Sequence, residues 1–147
     1  MSTDPRPPYI RDGAGNVTEG AVRHADNRLL PDLGGHDITF IRIDHQTRLQ
    51  VDEWEIVIES PFVLRKPDGE FRLDPAERSG LGPLLDCYPG TLTLATMDAD
   101  AALHLELADG TLLVVPPDEN YEAWQVYGPG TFLLVCLPGR GQVAVWT

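Results

Sequence analysis

From residue 38 onward, apolar and polar residues alternate with a period of two. In Thr47–Val51 the apolar Leu49 and Val51 alternate with Arg48 and Gln50, and in the next segment Trp54, Ile56 and Ile58 run against Glu53, Glu55 and Glu59. This is the pattern of half-buried antiparallel strands, whose successive side chains point to opposite faces. Strands are predicted over 38–44, 47–51, 54–58, 62–64 and 71–73, with Pro67, Asp68 and Gly69 reversing the last pair. A second series follows over 91–97, 101–107, 111–115, 121–127 and 131–137, with Asp109-Gly110 as the strongest hairpin turn and a final strand over 142–146.

The two series share their apolar phase. A shift of 54 residues sets Thr39 on Thr93, Phe40 on Leu94 and Asp44 on Asp98, and then Leu49 and Val51 on Leu103 and Leu105. Later the shift grows to 61, setting Gly69, Phe71 and Leu73 on Gly130, Phe132 and Leu134. The predicted fold is therefore mainly β (a β-rich α+β class): two pseudo-repeated antiparallel meanders, about 38–74 and 91–137, packed together and joined by a short helix. They either pack face to face or share one curled sheet. Between them, residues 74–86 read as a connector, with Asp74 as N-cap and Pro75 at the first helical position, cut short by Gly80, Gly82 and Pro83. Residues 1–36 form a Pro/Gly-rich N-terminal arm in which only 18–30 has the makings of a helix; 37–147 is a single β-rich domain.

A chain of 147 residues is enough for one domain with a real core, burying about 68–70% of its unfolded surface. With 42% hydrophobic and 23% charged residues, it is of ordinary globular composition. The charge changes the picture: 23 acidic against 11 basic residues leave −12. Such a field repels nucleic acid and anionic membranes and steers basic partners. No apolar run is long enough for a membrane span, and the N-terminus lacks a signal-peptide core, so the expected location is the cytoplasm. Cys87 and Cys136 stand far apart without metal spacing and are expected as thiols, Cys136 as core packing.

Catalytic motifs are missing: there is no phosphate loop, nucleophile elbow or HExxH, and no catalytic residue, metal or cofactor is assigned. Three groups of residues remain. Glu53, Glu55 and Glu59 project from one side of a strand, either as a charged edge that discourages aggregation or as a landing site for a basic protein. Tyr121, Glu122, Trp124 and Tyr127 lie in a Pro-flanked acidic-aromatic segment, 116–130, whose period of two exposes one aromatic set unless both faces are covered; it reads either as a binding surface or as a core Trp with rim tyrosines. Gln50 and Asp52 meet His104 and Glu106 under the repeat, an alternative ligand site if the two meanders juxtapose them.

The succession Asp109-Gly110, Tyr121-Glu122-Ala123-Trp124, Pro138-Gly139 and the terminal Trp146, together with the 48–69 stretch, resembles a family of small, acidic, uncharacterised bacterial proteins, a domain of unknown function. Here Gly139-Arg140-Gly141 and Ala101 depart from the family pattern, Ala101 standing in place of a turn glycine. The resemblance implies no activity or catalytic residue; the small acidic β-rich character is similar to that of immunity proteins. The expected function is a non-enzymatic protein-interaction module of immunity type with a basic protein partner. The alternatives are a small-ligand or metal-binding protein using the cleft between the repeats, and a structural homodimer subunit.

Overall fold

The computed structural model describes residues 9–11 and 17–147. Residues 1–8 and 12–16 of the N-terminal arm lie outside the described residues. The strands are β1 (Tyr9–Arg11), β2 (Val17–Glu19), β3 (Ala21–His24), β4 (Asp37–Ile43), β5 (Thr47–Val51), β6 (Trp54–Ile58), β7 (Phe62–Lys66) and β8 (Gly69–Leu73). After a short helix α1 (Gly82–Leu85) come β9 (Gly90–Met97), β10 (Leu103–Leu107), β11 (Leu112–Val115), β12 (Trp124–Tyr127), β13 (Leu133–Cys136) and β14 (Gln142–Trp146). β1 and β2 form a two-stranded ribbon; the other twelve form one antiparallel sheet in the order β3-β14-β13-β12-β6-β5-β4-β9-β10-β11-β7-β8. The mainly β fold read from the alternation is the fold observed.

That order differs from two self-contained meanders. β6 pairs with β12 and β11 with β7, so the β7–β8 hairpin of the first series extends the second, and the β12–β13 hairpin of the second extends the first. Two wings result, joined along the sheet where Asp37 and Ile38 of β4 pair with Thr91 and Gly90 of β9. The reason is the segment after each three-strand unit: Ser60-Pro61 after β6 and the long 116–123 loop after β11 both carry the chain away, and each next hairpin finds its open edge on the other wing. At several positions residues related by the 54-residue shift make like contacts. Thr39 and Thr93 lie at register shifts of β4 and β9 and donate their hydroxyls to the carbonyls of Gln50 and Glu106. Asp37 and Thr91, themselves so related, pair at the junction with a 2.6 Å hydroxyl-to-carboxylate bond.

Inward residues of both wings fall into one apolar cluster: Leu49, Ile56, Ile58, Trp124 and Val126 from one, Leu64, Leu92, Leu103, Leu105 and Val115 from the other. The wings therefore close over a shared core, each buried Leu, Ile or Val contributing about 1.5–3 kcal/mol. Leu33 is fully buried in the same cluster and Leu30 nearly so. A smaller cluster, Leu133, Val135, Ala144 and Trp146, lies on the other face of β13 and β14.

Two helical expectations are corrected. Within 18–30 the described chain is strand, with β3 pairing along β14, followed by one 3-10 turn over Asn27–Leu29 that Asp26 caps by accepting from the Arg28 amide at 3.0 Å. Gly20 sits where an added Cβ would lie 2.4 Å from the Trp146 ring. In the connector, Asp74 accepts from the Ala76 amide at 2.9 Å, and one 3-10 turn over Arg78–Gly80 follows. The helix instead begins at Gly82, with Pro83 in its first turn: the proline expected to end it starts it. Among the described residues no helix is long and apolar enough to cross a membrane.

Candidate functional site

Pairing of β5, β6 and β12 builds two cross-strand rows on the outer face of one wing: Arg48, Val57 and Gln125, then Gln50, Glu55 and Tyr127. Around these rows runs a polar network. Arg48 donates through Nη1 to Glu55 Oε1 at 2.6 Å and through Nη2 to Gln46 Oε1, while its Nε lies 3.8 Å from Asp44. Gln46 Nε2 donates to Glu59 Oε1 at 2.7 Å. The Gln125 amide then donates to Glu59 Oε2 and to Glu122 Oε1, the latter at 3.2 Å, and Tyr127 donates to Gln125 Oε1 at 3.4 Å. Glu59 and Glu122 thus share one amide donor and have no ion pair among the described residues. Burial, and then the Glu59 carboxylate, push the Glu122 carboxyl above its ordinary value. Burial also pushes the Tyr127 phenol up, against the opposing pull of Arg48.

Glu122 begins a rim of loops at one end of the wings. The β9–β10 turn carries Asp98 and Asp100; the β11–β12 loop carries Asp118, Glu119 and Glu122; the β13–β14 turn carries Arg140. Backbone bonds hold the three together: Gly139 N–H to Asp118 O at 2.8 Å and Gly141 N–H to Asp100 O at 3.0 Å. The Asp118 carboxylate also accepts from the Asn120 and Tyr121 amides, which shapes the loop and turns Tyr121 outward, 68% exposed. Asp98 is pushed up by burial, but its bonds from the Ala102 amide, His104 and the Asp100 amide outweigh that and hold its carboxyl below the usual range.

The structure divides the residues singled out by the sequence. Trp124 is fully buried, and its indole N–H donates to Ala101 O at 2.8 Å, so it anchors the rim from within and presents no surface. Tyr121, Glu122, Tyr127, Glu55 and Glu59 reach the outer face, but Glu55 is tied to Arg48 and Glu59 to two amides. Glu53 lies in the β5–β6 turn at the other end of the wing. Sequence reasoning passed over Gln46, Arg48 and Gln125; the period of two set Arg48 and Gln125 on polar faces, but only the β6–β12 pairing brings them together.

Gln50, Asp52, His104 and Glu106 are not brought together. His104 Nε2 meets Asp98 at 3.2 Å on its own wing, Asp52 meets His36 Nδ1 at 2.6 Å, and Gln50 donates to the Asp52 carbonyl. Glu106 is exposed, and among the described residues no group of three or more His, Cys, Asp or Glu is placed to hold a metal. Burial pushes the Cys87 thiol up to about 11 and the Cys136 thiol up to about 12, leaving both as packed thiols at neutral pH.

Fold and surface together describe an antiparallel β protein with a hydrogen-bonded polar face and an acidic loop rim. The chain belongs to a family described as Family of unknown function (DUF6188), whose model matches residues 29–147. No curated protein and no solved structure matches it.

Proposed function

We propose that this chain is a non-enzymatic interaction module of immunity type that works in the cytoplasm and docks a basic protein on its loop rim. The observation that carries this reading is the distribution of charge. Residues 79–147 contain eight carboxylates and a single Arg, Arg140, and five of those carboxylates, Asp98, Asp100, Asp118, Glu119 and Glu122, stand on the rim. Carboxylates crowded on one rigid edge raise the local potential and speed encounter with a cationic surface. Next to them Glu122 and Glu59 repel one another, a cost that an incoming Lys or Arg relieves. Tyr121 supplies an exposed aromatic contact of the kind that anchors protein interfaces.

The test is affinity capture from a bacterial lysate. Captured partners should be basic, and capture should fall steeply from about 0.1 M to about 1 M salt, as the screening length shrinks from about 10 Å to about 3 Å. The triple variant Asp100→Asn, Glu119→Gln, Glu122→Gln should lose them, because it spares the turn-capping Asp98 and Asp118, whereas Glu70→Gln on the distant β8 should not. Capture indifferent to salt and to the triple variant would refute the proposal.

A further inference from the structure

At the opposite end of the same wing lies an open pocket of about 600 Å³ lined by His36, Asp52, Glu53 and Trp54. Its position follows from the register: Ile58 pairs with Trp124 beside the rim, and Glu55 pairs with Tyr127, so the β5–β6 turn stands at the far end.

The walls are held in place. The Trp54 ring meets Phe132 edge-on, with centroids 5.4 Å apart and planes at 84°. The ring also lies against Gly128, where an added Cβ would come within 2.3 Å of it, so glycine is required for the indole to sit there. Asp52 takes a left-handed backbone, φ 52°, which Asp tolerates better than most residues. Its carboxylate lies 2.6 Å from His36 Nδ1, which orients the ring, and His36 Nε2 makes no hydrogen bond among the described residues. Glu53 is exposed and makes no hydrogen bond or ion pair among the described residues.

The pocket therefore offers a cation an indole and two carboxylates. No Lys or Arg lines it. We infer that the pocket binds a guanidinium group, packed against the Trp54 indole and donating N–H bonds to the Glu53 carboxylate. The group has two sources, a free small molecule or an arginine side chain of a protein. The site is independent of the rim at the other end of the wing.

Nuclear magnetic resonance titration of the full chain with agmatine, and in parallel with a blocked Gly-Arg-Gly tripeptide, tests the assignment. Saturable shifts should appear at the Trp54 indole and His36 imidazole signals, with sodium chloride of equal ionic strength as the control. Tighter binding of agmatine identifies a small-molecule site; equal or tighter binding of the tripeptide identifies an arginine side chain as occupant. Glu53→Gln, an exposed change that leaves the fold intact, should weaken either ligand about fivefold to tenfold. Asp100→Asn on the rim should leave both unchanged. The inference falls if neither probe gives saturable shifts at these two residues, if sodium chloride reproduces them, or if Glu53→Gln binds as the unaltered chain does.

Discussion

Ala101 meets several demands with one methyl group. Its φ of 73° lies in the left-handed region, its side chain is fully buried in the shared core, and its carbonyl accepts from the Trp124 indole at 2.8 Å and the Cys136 thiol at 3.6 Å. A glycine would take this backbone without strain but would forfeit a buried methyl, about 0.8 kcal/mol, and add freedom to the unfolded chain, about 0.4–1 kcal/mol. Alanine is the larger residue the site still admits. Ala101→Val should cost about 2–4 kcal/mol, because a β-branched residue is strongly disfavoured at positive φ and the core has no room for two more carbons. Urea unfolding followed by tryptophan fluorescence measures this; a variant as stable as the unaltered chain would show that the turn is free to rearrange. The departure from a turn glycine was legible in the sequence, while the reason for tolerating it required the core around it.

Between the strands, long-range pairing does most of the work. β6 pairs with β12 and β7 with β11, so each wing is completed by a hairpin of the other series. Two fragments, 1–89 and 90–147, should each lack a stable sheet, because each leaves edges unpaired and apolar faces uncovered. Mixed in equal amounts they should recover strand signal and protected amides in β6, β7, β11 and β12, read by circular dichroism and hydrogen exchange. A fragment that folds alone would show that one series does not need the strands of the other. Strand positions were legible because alternation is local: the predicted 47–51 and 54–58 are β5 and β6 as observed. The partners of β6 and β7 were not, since register along a chain says nothing about which distant edge completes a wing. The same gap affected the candidate site. Tyr121 and Glu122 reach the surface, while Trp124 takes the core place that was the other reading of this segment, because its inward row with Ile58 is set by the β6–β12 pairing.

At the scale of the molecule, a net charge of −12 opposes compaction, and acid acts on it through two sets of groups with opposite signs. Asp26, Asp44, Asp98 and Asp109 all hold their carboxyls below the ordinary value: Asp26 at about 2 through its side-chain bonds with Arg28, Asp44 through the Gln46 amide, Asp109 through the Thr111 hydroxyl and amide, and Asp98 as above. Such groups contribute stability that is present above the unfolded value of 3.8 and lost as pH falls through the lower folded values. Glu122 is the reverse. Its raised carboxyl favours the folded state below the unfolded value of 4.5, and that contribution is lost as pH rises through the higher folded value. At neutral pH the chain therefore carries a penalty at Glu122, held next to Glu59 by their common Gln125 donor. Glu122→Gln should remove it and raise stability at pH 7 by up to about 1 kcal/mol, the scale of a partly exposed charge interaction. The gain should vanish well below pH 4.5, where the native carboxyl is itself neutral. Urea unfolding of both proteins at the two pH values checks this, and a gain that persists unchanged in acid would place its origin outside the carboxylate charge. Under the proposed reading of the rim as a docking surface, a cationic partner would relieve this penalty, so the charge that is unfavourable in the free protein would favour the complex.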